Sequence, residues 1–224
     1  MFGITSLFSN PSGMLTQLLY RIPAILVALS FHEWAHAYAA YKLGDPTARN
    51  MGRMTINPFA HIDPLGFLTL LLFRFGWAKP VPISTRYFKN ARRDELIVSL
   101  AGVAANLILA FLSMGVLYIF IFTTGVNQAG MELFSNFFFL NISLCIFNLL
   151  PIPPLDGYHV AQCLFLRGQK TYRVFSFLER YGYIILLVLL FTGVLSTIMS
   201  PLVNGIVYGI DGIYRLLFRL IGLT

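Results

Sequence analysis

Long apolar stretches alternate along the chain with shorter polar segments that carry most of its basic residues. A helix that crosses a bilayer needs about 20 predominantly apolar residues. Stretches that approach or exceed this length lie at about residues 14–43, 94–122, 132–150, 183–199 and 202–221. The pattern therefore predicts about five full spans, and we expect all of them to be helical because a helix satisfies its own backbone hydrogen bonds in lipid.

Prolines and glycines mark where these stretches end. Gly44-Asp45-Pro46 ends the first stretch, and Ser200-Pro201 is predicted to separate the last two. Prolines 151, 153 and 154 interrupt the third stretch, so the helix is predicted to resume near residues 155–166.

The region between the first two spans is irregular, with one short apolar segment inside it. Residues 47–63 are predicted to form a short hairpin or an irregular loop, and residues 77–84 (WAKPVPIS) an extended segment. Residues 64–75 are apolar but cover only about 12 positions, too few for a span. We expect that segment to be re-entrant or interfacial.

Composition supports the same class of protein. Of the 224 residues, 57% are hydrophobic and 11% are charged, and the mean hydropathy is +0.74. A soluble domain carries about 25% charged residues. We therefore expect an all-α polytopic membrane protein that forms a single membrane-embedded domain over residues 1–224.

The net charge of +7 does not indicate nucleic-acid binding, because the basic residues fall between the apolar stretches. Loops rich in Lys and Arg stay in the cytosol. Residues 1–20, 123–131 and 199–204 contain no Lys or Arg. We expect a multi-pass protein of the cell membrane with its N-terminus outside and its basic loops cytosolic. On this topology Arg215 and Arg219 would end the last span in the cytosol.

The first apolar stretch contains His32-Glu33-Trp34-Ala35-His36. Two histidines four residues apart lie on one face of a helix, so both can reach one metal ion. Glu33 can then accept a proton from a water molecule at that metal. The alternative is two histidines satisfied by hydrogen bonds inside a helix bundle, which would require a buried partner for Glu33 as well.

A catalytic zinc ion usually has three protein ligands, and Asp156 is the candidate for the third. Among the acidic residues in apolar stretches, Asp211 has Arg215 one helical turn away, whereas Asp156 has no such partner. Helical rise places Asp156 about 16 Å, and His32 about 15 Å, from the nearest basic residue at the cytosolic boundary. The alternative is a proline-kinked helix that Asp156 caps.

These residues resemble the site-2 protease family of intramembrane zinc metalloproteases. The resemblance rests on His-Glu-Trp-Ala-His in the first span and on Asn148-x-x-Pro-x-Pro-x-Leu-Asp-Gly, and it covers roughly residues 14–200. Residues 101–106 resemble the Gly-x-x-x-Asn element of the family, with Val103 where a proline is often found. Within that family, the chain resembles the compact bacterial or archaeal members that lack a PDZ domain.

The resemblance implies a function and a site. It implies hydrolysis of peptide bonds within or near the transmembrane segments of membrane-protein substrates, in regulated intramembrane proteolysis or in clearance of remnant peptides. It also implies that His32, His36 and Asp156 bind one zinc ion per chain and that Glu33 is the general base. The expected partners are a membrane-protein or transmembrane-peptide substrate and the lipid bilayer.

The resemblance also implies an architecture. A three-helix catalytic core would cover about residues 14–166, with accessory helices over about 176–221. The helix that usually precedes the core would be absent or reduced to residues 1–13. No feature of the sequence specifies an oligomeric state.

Several residues have two interpretations. Asn148 could stabilise an oxyanion or hold substrate backbone, and Asn106 could join helices. His61 and His159 have no assigned role. Residues 77–84 could bind an unwound substrate by strand addition, or they could be an ordinary surface loop.

Two other functions use the same residues. A metal transporter would need further ligands along a path through the membrane. A catalytically inactive relative would bind membrane proteins without cutting them, and the presence of Glu33 beside all three candidate ligands argues against it.

Overall fold

The structure is a computed structural model, and it describes residues 11–73, 76–123 and 128–222. Over these ranges the chain forms α-helices and no strands, which confirms the predicted all-α class. The helices are α1 (Pro11–Lys42), α2 (Thr47–Asn50), α3 (Pro64–Phe73), α4 (Ala91–Thr123), α5 (Gln128–Asn148), α6 (Asp156–Phe165), α7 (Gln169–Phe191) and α8 (Val194–Leu220). The expectation for a helix within residues 1–13 falls mainly outside the described residues, since α1 begins at Pro11.

Four of these helices, α4, α5, α7 and α8, are long and apolar enough to cross a membrane. The chain is therefore a multi-pass membrane protein. The fifth predicted span corresponds to α1, whose 32 residues extend about 48 Å against a hydrocarbon thickness of about 30 Å. That α1 also crosses the membrane stays a prediction.

The predicted boundary between the last two spans is wrong. The break falls at Gly193, whose φ of +75° lies in the left-handed region that glycine adopts without steric cost. Pro201, expected at the break, lies inside α8. The polar stretch before residue 183 is also helical, because α7 begins at Gln169.

The core of the molecule lies between α4, α5 and α8. Helix α4 is central, since it packs against α1, α5, α6 and α8. The main cluster of buried side chains contains Ala110, Met114, Tyr118, Phe138, Ile142, Ile146, Ile210, Tyr214 and Phe218. Helix α4 thus has two functions, since its first half faces α1 and α6 while its second half anchors α8.

The C-terminal helix differs from expectation in where its charges lie. Asp211 and Arg215 form the predicted ion pair, with a 2.7 Å distance between Asp211 Oδ2 and Arg215 Nε. Asp211 also accepts a 2.7 Å hydrogen bond from Tyr118 in the second half of α4. The basic loop lies at the N-terminal end of α4, whereas Tyr118 lies near its C-terminal end. Arg215 therefore lies toward the opposite end of α4 from the basic loop, although the sequence placed both on the cytosolic side.

The region between α1 and α4 contains helices α2 and α3, two single 3-10 turns (Pro58–Ala60 and Thr85–Tyr87), and residues 76–84, which are not helical. One antiparallel bridge joins Ile62 to Ala78, and the N–H of Lys79 donates to the carbonyl of His61 at 2.8 Å. Residues 47–63 contain α2 and one 3-10 turn, so the structure supports the predicted irregular loop and not the hairpin. The bridge pairs Ile62 with a residue beyond that range. It closes a loop that contains the ten-residue α3.

Candidate metal centre

Helices α1 and α6 bring three candidate ligands together. His32 and His36 lie one turn apart on α1 and are 7% and 6% exposed. Asp156 is the first residue of α6, and its Oδ2 lies 3.2 Å from His32 Nε2 and 3.3 Å from His36 Nε2. The three ligand atoms all lie within 4.8 Å of one another. The residues that the sequence singled out are therefore neighbours in space.

The chain break between α5 and α6 explains how Asp156 reaches the histidines. Helix α5 ends at Asn148, and residues 149–155 are irregular before α6 begins. A Cβ on Gly157 would lie 2.5 Å from the carbonyl oxygen of Leu150, so this close turn requires glycine. Leu155 occupies the N-cap position and no side-chain cap bond forms there. Asp156 therefore faces the histidines and does not cap a kinked helix.

Hydrogen bonds determine which nitrogen of each imidazole is free. His36 Nδ1 lies 2.7 Å from the carbonyl oxygen of Val98, which can only accept, so Nδ1 carries the hydrogen. His32 Nδ1 lies 2.7 Å from Asn106 Oδ1, which also accepts. Both Nε2 atoms therefore present lone pairs.

The resulting donor set fits a divalent cation. The two Nε2 atoms are 3.0 Å apart, yet two lone pairs cannot hydrogen-bond to each other. Asp156 Oδ2 is buried beside them without a hydrogen-bond donor in the described part of the chain. A tetrahedral zinc ion with bonds of about 2.0 Å has ligand atoms about 3.3 Å apart. Two imidazole nitrogens and one carboxylate oxygen at 3.0 to 3.3 Å match that spacing.

Small and polar residues of α4 support the histidine pair. A Cβ on Gly102 would lie 2.7 Å from Cε1 of both His32 and His36, so only glycine lets α4 approach so closely. Asn106 is fully buried and hydrogen-bonds to His32 of α1 and to Asn141 of α5. Asn106 thus joins three helices and also holds one imidazole. Asn141 was not identified from the sequence.

Glu33 lies in the same cavity as the three candidate ligands. This cavity has a volume of about 680 Å³, and it is also lined by Asn148 and by apolar side chains of α1, α5 and α7. Glu33 is 8% exposed, and its Oε2 accepts a 2.8 Å hydrogen bond from the N–H of Val81. Asn148 makes no side-chain hydrogen bond to any residue in the described ranges, so its amide is available to a bound molecule.

The extended segment 79–84 forms one wall of this cavity and is held by two further side chains. Arg53 donates to the carbonyls of Lys79 and Pro80 at 2.8 and 3.3 Å. Asp45, which is 1% exposed, accepts the N–H of Ser84 at 2.6 Å. The sequence indicates Asp45 only as part of the signal that ends the first helix. Its role in holding segment 79–84 had one signal in the sequence, an acidic residue next to an apolar helix.

The two remaining histidines differ in their surroundings. His159 lines the cavity one turn after Asp156, and its Nδ1 lies 3.3 Å from Glu95 Oε1 of α4. His61 is 1% exposed, and its Nε2 lies 2.7 Å from the carbonyl of Thr55. His61 therefore belongs to the packing of the loop between α1 and α4.

Comparison with known proteins identifies the family. A Bacillus subtilis protein whose name is "Putative zinc metalloprotease YwhC" is 40% identical over 211 residues, which cover 90% of this chain and 92% of the relative. The chain belongs to peptidase family M50, the site-2 protease family. The model of peptidase family M50 matches residues 114–189. This M50 peptidase is thus a membrane-embedded zinc metalloprotease that acts on proteins.

Relatives that are also named putative zinc metalloproteases occur in other organisms. Rip2 of Mycolicibacterium smegmatis is 33% identical over 199 residues, covering 84% of this M50 peptidase and 72% of the relative. MJ0611 of Methanocaldococcus jannaschii is 29% identical over 162 residues, covering 71% and 78% respectively. No solved structure matches the chain.

Proposed function

We propose that this M50 peptidase hydrolyses peptide bonds within or near the transmembrane segments of membrane-protein substrates, in regulated intramembrane proteolysis or in clearance of remnant peptides. His32, His36 and Asp156 hold one zinc ion per chain, and Glu33 is the general base. The observation that carries the proposal is the convergence of two imidazole lone pairs and an unpaired carboxylate oxygen in one cavity with Glu33.

The position of the cavity supports a substrate that enters from the membrane. Leu29, Leu144 and Leu186 line the cavity beside the histidines, and α5 and α7 are both candidate spans. An apolar lining with a few polar groups is typical of sites that bind largely apolar ligands. A transmembrane segment offers such a surface.

The chain's own residues can carry the proton transfers. His32, His36 and Asp156 would hold a zinc ion, which would supply Lewis-acid chemistry for the scissile carbonyl and the attacking water molecule. Glu33 accepts the proton of that water and passes it to the leaving nitrogen. The N–H of Val81 holds Oε2 of Glu33 in place, which leaves the other carboxylate oxygen for proton transfer. Asn148 donates its amide hydrogen to the developing oxyanion.

The extended segment can hold an unwound substrate. Most of its own N–H groups are unavailable, so the substrate would supply most of the donors. The N–H groups of Lys79 and Val81 are already used by His61 and Glu33, and Pro80 and Pro82 have none. Asp45 uses the N–H of Ser84, so Ile83 has the one N–H of segment 79–84 without a partner among the described residues. A substrate strand beside this segment would therefore bind mainly by donating its own N–H groups to the segment's carbonyls. This restriction favours a short extended stretch of substrate over a full β-ladder.

The predicted domain and topology complete the proposal. The chain forms one domain in the cell membrane, with a core over about residues 14–166, accessory helices over about 176–221, the N-terminus outside and the basic loops cytosolic. The alternative of a metal transporter needs further ligands along a path. The described part of the chain contains one group of three residues able to hold a metal, which favours the peptidase.

The test compares metal content and cleavage in purified protein. Wild type should contain one zinc ion per chain and cut a model single-span substrate, and a chelator should abolish cleavage until zinc is restored. Glu33→Gln should keep its zinc and lose cleavage, while Asp156→Ala should lose both. Glu132→Gln, at the start of α5, is the matched control and should behave as wild type.

Two results would contradict the proposal. Equal cleavage by wild type and Glu33→Gln would remove Glu33 from the chemistry. Full zinc content in Asp156→Ala would remove Asp156 from the ligand set.

A further inference from the structure

We propose that Asn141 of α5 is a positioning residue that orients the amide of Asn106 and, through it, the metal-facing nitrogen of His32. This inference rests on the proposed role of His32 as a zinc ligand. It assigns a role to a residue that neither contacts the cavity nor belongs to a metal-binding motif.

The three side chains form a continuous hydrogen-bonded row through the bundle. Asn141 Nδ2 donates to the carbonyl of Phe137 at 2.8 Å, and Asn141 Oδ1 accepts from Asn106 Nδ2 at 2.8 Å. Asn106 Oδ1 lies 2.7 Å from His32 Nδ1. Asn141 and Asn106 are both 0% exposed, so no solvent competes for these bonds.

Backbone carbonyls fix the direction of every bond in this row. The carbonyl of Phe137 can only accept, so the NH₂ group of Asn141 faces it and Oδ1 faces Asn106. The NH₂ group of Asn106 then faces Asn141, and it also donates to the carbonyl of Ala28 at 3.3 Å. Asn106 Oδ1 is left facing His32, which must therefore donate from Nδ1.

The reverse orientation of Asn106 would fail at two places. Its oxygen would face two acceptors, Asn141 Oδ1 and the carbonyl of Ala28, at hydrogen-bonding distance. Its NH₂ group would face His32 Nδ1, which would then have to accept and would carry its hydrogen on Nε2. An Nε2 that carries a hydrogen cannot bind a metal. Asn141 thus excludes the form of His32 that cannot serve as a ligand.

The first test is metal affinity, measured by competition with a chromogenic chelator on folded, monodisperse protein in detergent. Asn141→Leu removes the acceptor, and we expect zinc to bind 10 to 100 times more weakly, the usual effect of losing an outer hydrogen bond to a ligand. Asn136→Leu is the matched control, since Asn136 lies on the same helix and donates only to its own helix, at the carbonyl of Glu132. It should bind zinc as wild type does.

Two further variants test the route through Asn106. Asn141→Asp keeps an oxygen facing Asn106 when its buried carboxyl group is protonated and still donates to the carbonyl of Phe137. We expect its zinc affinity to stay within about threefold of wild type below the pKa of that carboxyl group. In an Asn106→Leu background, Asn141→Leu should cause no further loss of affinity, because residues that act in one row are not additive. Asn141→Ala replaces Asn141→Leu under the same criteria if the leucine variant does not fold.

Several outcomes would overturn the inference. Wild-type affinity in Asn141→Leu, or an equal loss in Asn136→Leu, would show that Asn141 has no special link to the site. An undiminished effect of Asn141→Leu in the Asn106→Leu background would show that it acts by another route. His32→Ala separates the two proposals, since unchanged zinc affinity in that variant would contradict the proposed function itself.

Discussion

The backbone N–H of Val81 donates to Glu33 Oε2 at 2.8 Å, which joins residues 48 positions apart in the chain. The position of the proposed general base therefore depends on the position of the extended segment that lines the cavity. Asp45 and Arg53 hold the same segment at Ser84 and at Lys79. Displacement of the segment would change the placement of Glu33 without touching the three candidate ligands.

Asp45→Asn should loosen the extended segment. Asp45 accepts the N–H of Thr47 on Oδ1 and the N–H of Ser84 on Oδ2, and an asparagine can replace only one of those oxygens. Loss of a charged, buried hydrogen bond costs about 1.5–3 kcal/mol. We expect faster hydrogen exchange in residues 79–84 and reduced kcat/KM at unchanged zinc content.

Asp63→Asn is the matched control for that experiment. Asp63 uses one oxygen to accept the N–H of Gly66 at the start of α3, and asparagine can do the same. Exchange in residues 79–84 should be that of wild type. If Asp45→Asn leaves exchange and kcat/KM unchanged, the clamp at Ser84 does not position Glu33.

Gly102→Ala should disrupt the metal centre. The added methyl group would lie 2.7 Å from Cε1 of both histidines, so α1 and α4 would have to separate. We expect at least about a tenfold loss of zinc affinity, comparable with loss of an outer ligand contact. Competition with a chromogenic chelator on the purified variant measures it.

Gly205→Ala serves as the control for a helical glycine. Nothing lies within 4 Å of a Cβ at Gly205 in α8, and alanine favours helix by about 1 kcal/mol over glycine. This variant should keep its zinc and be slightly more stable. Normal zinc binding in Gly102→Ala would mean that the two helices do not pack as closely as described.

Tyr118→Phe should weaken the attachment of α8 while sparing the metal centre. The hydroxyl donates to Asp211 Oδ1 at 2.7 Å, and such a bond contributes about 1 kcal/mol. For a chain of this size the apparent melting temperature should fall by about 2–4 °C. Tyr172→Phe, at a 62% exposed position, should change nothing. A loss of zinc in Tyr118→Phe would contradict the separation of the two halves of α4.

Glu95→Gln should have a small effect. His159 and Glu95 side chains are 47% and 31% exposed, and pairs this accessible to solvent contribute about 0–1 kcal/mol. We expect unchanged zinc content and a minor change in stability. If kcat instead falls strongly at full zinc occupancy, the pair takes part in the reaction and does more than join α4 to α6.

Much of the candidate site follows from local sequence rules. The four-residue spacing of His32 and His36 places them on one helix face whatever surrounds them. The prolines before Asp156 interrupt a helix wherever they occur, so an isolated aspartate at that break was recognisable as a ligand candidate. The apolar lengths likewise predicted the helical class and the four helices that are long and apolar enough to cross a membrane, α4, α5, α7 and α8.

The boundary between α7 and α8 shows where local rules mislead. Ser200-Pro201 is the stronger stop signal in sequence, yet a proline can lie within a membrane helix when neighbouring groups satisfy the freed carbonyl. Gly193 provides the turn because its positive φ suits only a residue without a Cβ. Both residues were visible in the sequence, and the packing of α8 against α4 selected between them.

Sequence alone determined the helical membrane class and the three candidate metal ligands, because hydrophobic length, helical spacing and proline breaks are properties of single segments of the chain. Tertiary structure alone decided that Val81 holds Glu33, that Asn141 reaches His32 through Asn106, and that Arg215 lies beside Tyr118. These pairs are far apart in the chain. Their contacts depend on how whole helices pack, and no local periodicity encodes that arrangement.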